Sequence, residues 1–223
     1  NGVFGAYTDS IPMIIVSGQV KVQTLLENSG EIQLRQFGDQ EARSDAFIPT
    51  FVKSFKSLRS VKDVVTVIDE AFEVALSGRM GPCWIEIPVD IQGTTYEPLG
   101  RYLNNPITLK NKDGSIKFLD SHTLHEFGEL LSSAQRPLFL CGSGVRLSDA
   151  QCDVVRLAES LSIPIVTAWT HDICDNNHPL FVGRPGTIGT RPGNFAVQSC
   201  DLLIVLGSRL NIRQVSYNWL TFA

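Results

Sequence analysis

Residues Ala75–Asp90 constrain this chain more than any other stretch. A helical pattern of apolar residues (Val64, Val65, Ile68, Ala71, Phe72, Ala75) stops at Gly78, where a residue without Cβ can take the left-handed conformation that ends helices. Gly81-Pro82 turns the chain and cannot continue a helix. Cys83–Ile87 then has the length and content of a buried strand. Pro88 closes that strand at its carboxyl end, the side on which open α/β sheets place their ligands.

The same alternation recurs along the chain. Val3–Tyr7 reads as the end of a helix, and Ile11–Gly18, apolar and bounded by Pro and Gly, as a central parallel strand. Residues 21–36 are polar and without period, which predicts a loop. Phe37-Gly38-Asp39-Gln40-Glu41 leads into a predicted helix with Ala46, Phe47, Phe51, Val52 and Phe55 on its apolar side. Ser60 with Asp63 makes a capping box for the helix that runs to Gly78. Residues 93–118 break every periodicity and contain Pro98, Gly100, Pro106 and Asn111–Ser115, as an interdomain linker would.

Beyond the linker, Leu124, Phe127, Leu130, Leu131 and Ala134 form an amphipathic helix that Arg136-Pro137 ends. Leu138–Cys141 is a buried strand running into Gly142-Ser143-Gly144, and Ser148 with Gln151 caps the next helix. A strand over Pro164–Trp169, a loop rich in Asn, Gly and Pro, a helix around Asn194–Ser199 and a strand over Asp201–Gly207 complete the pattern. The predicted fold class is α/β, with parallel sheets flanked by helices in two Rossmann-like three-layer units, both incomplete.

Composition excludes several function classes. A formal net charge of -4 lacks the basic surface that nonspecific nucleic-acid binding needs. Five cysteines at unrelated spacings, with no CxxC, read as reduced thiols of a cytoplasmic protein rather than a disulfide framework. No apolar run is long enough to span a bilayer, and no signal peptide is visible. The chain opens on Asn1-Gly2-Val3-Phe4, and both ends resemble the interior of folded elements, so the sequence reads as a fragment of a longer enzyme.

The motifs leave alternatives open. Gly142-Ser143-Gly144 lies between strand and helix, but Leu147 stands where a third glycine of GxGxxG would fall; a tight βα turn and a nucleotide contact fit equally. The loop Arg184–Gly193 can wrap an anionic ligand or a second subunit, or merely connect elements. Arg209, just past the last strand, can meet a phosphate or pair with a carboxylate. His122 and His125, and His171 and His178 near Asp172 and Asp175, read as surface histidines rather than metal ligands. No GxSxG, HExxH or Walker loop is present. Phe37–Glu41 fits either an active-site mouth or an exposed helix start.

Taken together, Ala6-Tyr7-Thr8-Asp9-Ser10-Ile11-Pro12, Ser17-Gly18-Gln19-Val20, Gln40-Glu41, Ala75–Asp90 and Arg184–Phe222 resemble, in order and spacing, the acetolactate synthase-like group of thiamine diphosphate-dependent enzymes. The resemblance implies a three-domain enzyme. Residues 1–92 would be the second half of its pyrimidine-binding domain, 93–120 a linker, and 121–223 a truncated central domain. The activating Glu would lie before Asn1, and the G-D-G…N motif that holds diphosphate and Mg²⁺ in a domain after Ala223. The resemblance assigns Gln40 a place near the thiazolium and the substrate, although Asp39 stands where the family has an aromatic or small apolar residue. Gly142, Gly144, Gly183, Gly186, Thr187 and Arg209 match positions that touch FAD in flavin-binding members; other members keep the fold without flavin, so FAD is left open.

The implied chemistry is decarboxylation of a 2-oxo acid and carboligation of the resulting acyl carbanion, with the fragment inactive alone. The implied assembly is a homodimer or homotetramer of a cytoplasmic enzyme, with no nucleic-acid or membrane partner. A related 2-oxo acid decarboxylase or sugar-related synthase is the alternative within the family. A non-catalytic FAD- or ADP-binding module is the alternative of another class.

Overall fold

The computed structural model describes residues 1–30, 34–95, 119–170, 172–217 and 219–222. Most of the predicted linker (96–118) and His171 lie outside the described residues. The chain divides into two compact units, Asn1–Ser115 and Ile116–Ala223.

The first unit contains α1 (Gly2–Thr8), β1 (Met13–Gln19), α2 (Ser44–Phe47), β2 (Ser54–Ser57), α3 (Val64–Leu76), β3 (Pro82–Pro88) and α4 (Val89–Gln92). Its sheet has the order β1-β3-β2 with every pairing parallel, in register from Met13 opposite Pro82 to Gln19 opposite Pro88. The helix α3 forms because Val64, Val67, Ile68, Ala71 and Ala75 recur at helical spacing. That stripe buries against Leu58, Cys83, Ile85 and Ile91. The helix stops at Leu76, Ser77 turns extended, and Gly78 takes φ +48°, the left-handed conformation its lack of Cβ permits. The Lys53 ammonium closes the helix end by donating to the carbonyls of Val74 and Ser77, a favourable place for positive charge.

The predicted helix over 46–55 is not formed. A single turn, α2, passes into a 3₁₀ turn at Ile48–Phe51, and Phe55 lies in β2 opposite Trp84. Pro49 has no N–H to continue α2, and the edge of β3 offers the following residues a parallel ladder instead. Ser60 does cap, but its hydroxyl accepts from the amide of Lys62 (3.2 Å) and starts a 3₁₀ turn that leads into α3.

The second unit contains α5 (Ser121–Ser133), β4 (Pro137–Cys141), α6 (Ser143–Leu147), α7 (Gln151–Leu161), β5 (Ile165–Thr167), β6 (Phe181–Gly183), α8 (Arg191–Ser199), β7 (Leu202–Leu206) and α9 (Ile212–Val215). Its four strands run parallel in the order β6-β5-β4-β7. Both faces of β4 are covered. Phe139 and Cys141 pack with Val145, Val154, Ala158 and Ile165 on one side. Leu138 and Leu140 pack with Val166 and Val197 on the other. A strand buried on both faces reads as an unbroken apolar run, which is why Leu138–Cys141 was legible as sequence.

Two expectations for this unit change. Ser148 does not cap α7, whose N-cap is Ala150; its hydroxyl donates back to the carbonyls of Gly144 and Val145 and finishes α6. The loop after β5 contains β6, a strand of three residues.

Candidate functional site

In the first unit the residues of interest gather where the parallel strands end. Gln40 is exposed and holds φ +60°, an uncommon conformation for a residue with Cβ. The chain on either side of it is fastened. Before it, Gly38 is buried, and a Cβ there would come within 2.7 Å of the Val20 side chain and 2.9 Å of the Thr24 carbonyl. After it, the Glu41 carboxylate accepts hydrogen bonds from the amides of Leu26 (2.6 Å), Phe37 (2.9 Å) and Gly38 (3.1 Å). Partial burial pushes the Glu41 carboxyl up, but these N–H groups, with help from Arg43, outweigh it and hold the pKa below the ordinary glutamate value. Glu41 is therefore an internal fastener, and of the adjacent pair only Gln40 offers its side chain outward.

Two further contacts tie this loop to the sheet. The Gln19 amide, at the last residue of β1, donates to the Ala42 carbonyl (3.0 Å) and to Glu86 Oε1 (3.2 Å). The Ser44 hydroxyl donates to the same Glu86 oxygen. The quoted motifs also meet one another. Arg79 donates to the Ser10 hydroxyl (2.8 Å), the Trp84 indole to the Ser17 hydroxyl (2.8 Å), and the Val22 amide to the Asp90 carboxylate. Sequence reasoning missed Glu86, Ser44 and Asp90 as partners, because nothing in a strand or loop pattern says which polar group a distant residue will meet.

In the second unit, the neighbouring ends of β4 and β7 form the point where strand order reverses, the usual ligand crevice of such sheets. Gly142 and Gly144 follow β4 there, and Gly207 follows β7. The two turns are packed face to face: the Gly142 amide donates to the Leu206 carbonyl (2.8 Å) and that of Gly144 to the Gly207 carbonyl (2.9 Å). A Cβ on Gly142 would stand 2.5 Å from the Gly207 oxygen, and one on Gly144 2.7 Å from the Gly207 Cα. The absence of side chains here serves protein packing.

Gly183, at the end of β6, abuts the Thr190 hydroxyl, and Gly186 abuts the Arg213 carbonyl. The amides of Gly186, Thr187, Gly189, Thr190 and Gly193 all donate within the protein. The Thr187 side chain is exposed, as is Arg209. Arg184 is engaged internally, with its Nε donating to the Thr170 carbonyl (3.3 Å), its Nη2 to Asn176 (2.9 Å), and its guanidinium over the Phe181 ring. Those five amides of the loop are therefore engaged within the protein rather than open to a pyrophosphate. Among the described residues two buried side-chain atoms lack a hydrogen-bond partner, the Thr170 hydroxyl just past β5 and the Gln214 amide nitrogen, whose oxygen accepts from Ser208 (3.4 Å).

The histidines are placed plainly. His122 and His125 lie exposed on α5, beside Glu126 and Glu129, and His178 meets Glu159 (3.1 Å). Among the described residues no group of three His, Cys, Asp or Glu side chains could hold a metal ion. Among them, too, no helix is long and apolar enough to cross a membrane.

Comparison with known proteins agrees with this architecture. Residues 124–223 match the family described as thiamine pyrophosphate enzyme, central domain. The chain is 32% identical over 216 residues to a probable acetolactate synthase large subunit of Methanocaldococcus jannaschii, covering 95% of this chain and 34% of that protein. It is 29% identical over 211 residues to the acetolactate synthase isozyme 1 large subunit of Escherichia coli K12, covering 94% of this chain and 34% of that protein. The chain thus spans about a third of the length of the curated relatives it matches. Among solved structures, benzoylformate decarboxylase from Polynucleobacter necessarius superposes with a TM-score of 0.66 at 21% identity, over 92% of this chain and 36% of that one, a likeness of fold.

Proposed function

We propose, from the premise that this chain belongs to the acetolactate synthase-like family of thiamine diphosphate-dependent enzymes, that it is the part of such an enzyme that presents Gln40 to cofactor and substrate. The observation that carries the reading is the Gln40 turn. An exposed amide stands at the carboxyl end of a parallel sheet, between a buried glycine and a carboxylate that pins three backbone N–H groups. A primary amide both donates and accepts, so it can orient a 2-oxo acid's carboxylate or carbonyl without exchanging a proton. Thiamine diphosphate, when bound with Mg²⁺, supplies the decarboxylation and carboligation chemistry, and this chain's contribution is position.

On this reading residues 1–92 act as half of a pyrimidine-binding domain and 121–223 as a central domain. The parent is a cytoplasmic transferase or lyase working as a homodimer or homotetramer, and the 223-residue chain alone is inactive. A flavin or ADP role for Gly142, Gly144, Gly183, Gly186, Thr187 and Arg209 rests on the resemblance. Protein packing already accounts for the first four.

The test uses the complete enzyme that carries this segment, assayed on a panel of 2-oxo acids with thiamine diphosphate and Mg²⁺. Replacing Gln40 by Ala should lower kcat by about tenfold or more while the fold and cofactor affinity stay unchanged, as expected for loss of one positioning contact. Full activity in the Gln40→Ala enzyme, or decarboxylation by the isolated chain, would falsify the proposal.

A further inference from the structure

A buried carboxylate lies under the Gln40 turn. Glu86 sits in the central strand β3, 4% exposed, between Ser17 of β1 and Ser57 of β2 in the register. Side chains alternate across a strand, so Cys83, Ile85 and Ile87 face the α3 core while Trp84 and Glu86 face the other side. A strand covered on both faces is normally apolar throughout. Burying a carboxylate there is unfavourable unless hydrogen bonds compensate, and an apolar residue of similar volume would serve the sheet at least as well.

What Glu86 contacts gives it a purpose. Its Oε1 accepts from the Ser44 hydroxyl and from the Gln19 amide (3.2 Å), and the same Gln19 amide holds the Ala42 carbonyl (3.0 Å). Ser44 is itself buried, 6% exposed, and opens α2. The segment that follows Gln40 is thus tied to the rigid centre of the sheet through one carboxylate oxygen. On the other side of Gln40, Gly38 is wedged against Val20 and Thr24. Between these fixed points Gln40 keeps its left-handed conformation, which costs about 1 kcal/mol and persists only where the surroundings impose it.

We propose that Glu86 is a positioning residue, which through Ser44 and Gln19 fixes the turn that presents Gln40. Its relevance to catalysis rests on the function proposed above for Gln40; its effect on the turn does not.

Hydrogen exchange read by mass spectrometry on the 223-residue chain separates the two. Glu86→Ala and Ser44→Ala should each speed amide exchange in residues 37–47 by about tenfold, the effect of stranding a buried hydrogen-bonding group, with α3 and β7 unchanged. Glu86→Gln, which keeps an acceptor oxygen for Ser44, should restore protection to within about threefold of wild type. Should Glu86→Ala fail to fold, Ser44→Ala and Glu86→Gln carry the comparison. Unchanged exchange at 37–47 in Ser44→Ala, or an equal rise in α3, overturns the proposal. In the complete enzyme Ser44→Ala should lower kcat by about tenfold with KM for the 2-oxo acid nearly constant, the split expected when a positioning group is loosened. If the loop loosens yet Gln40→Ala leaves turnover intact, the anchor stands and the assignment of Gln40 falls.

Discussion

Replacing Gly142 by Ala tests whether the two turns at the end of the second sheet are packed shut. The added Cβ would lie 2.5 Å from the Gly207 oxygen and 2.6 Å from the Ser208 Cα, both backbone atoms that no rotamer change can move. Carbon contacts settle near ~3.5–4 Å, so β4 and β7 must part by about 1 Å at this point. That movement strains the amide bonds from Gly142 to Leu206 (2.8 Å) and from Gly144 to Gly207 (2.9 Å). Overpacking of this kind costs about 1–3 kcal/mol and a weakened hydrogen bond about 1 kcal/mol more, so about 2–4 kcal/mol in all. For a unit of about 100 residues each kcal/mol is worth about 4–8 °C, which predicts a fall of about 8–32 °C in the melting of the second unit.

The matched control is Gly128→Ala. Gly128 lies inside α5 with nothing within 4 Å of its Cβ position, so the helix should gain about 1 kcal/mol and melt about 4–8 °C higher. Thermal circular dichroism of the three chains, with exchange at β4 and β7 amides to identify the transition, reads both signs. A Gly142→Ala chain that melts with wild type would refute the packing argument. It would mean that the turns stand apart, and a phosphate-sized crevice would again be open at the switch point.

Two more predictions concern the first unit's loop and the thiols. The Glu41 pKa is depressed in the folded chain, so its contribution to stability is complete above the ordinary glutamate value of 4.5 and is lost as pH falls through the lowered folded value. Glu41→Gln should lower loop protection at neutral pH, where the ionised carboxylate contributes fully, and flatten its dependence on pH below 4.5, a comparison that exchange at the Phe37 and Gly38 amides can make. Of the five cysteines, Cys152 is exposed; burial pushes the Cys141 thiol up to about 12, with the neighbouring Cys174 adding to it, and raises Cys83, Cys174 and Cys200 as well. A disulfide reagent at pH 8 should therefore titrate one thiol quickly in the native chain and all five in denaturant, and rapid labelling of Cys141 would contradict its place in the core.

What the sequence could reveal followed burial. Strands β1, β3, β4 and β7 and helix α3 were legible because each puts an apolar run or stripe into a core. Strand β2 was not. Ser54-Phe55-Lys56-Ser57 has four residues, three of them polar, and it is a strand only because β3 offers it an edge. The three residues of β6 likewise carry no period of their own. The helix expected across 46–55 failed at Pro49, a local signal outweighed by the spacing of the five apolar side chains Ala46, Phe47, Phe51, Val52 and Phe55.

The site was legible to a lesser degree, for a physical reason. Periodicity reports which way a side chain faces, not which atom it meets. Gln40-Glu41 entered as one polar pair, yet the fold divides it: Glu41 turns inward to three amides and Gln40 is left facing outward in a left-handed turn. Glu86 entered as one residue of a buried strand, and its charge among Trp84, Ile85 and Ile87 was the only sign that the strand held something besides a core. A carboxylate in the middle of an apolar strand must find donors on folding, and here they come from Gln19 and from Ser44, 67 and 42 residues away in sequence. Because one of those donors also holds Ala42, the unfavourable burial of Glu86 and the uncommon backbone of Gln40 are parts of one arrangement. Either feature alone would only weaken the unit, but together they fix where an exposed amide stands.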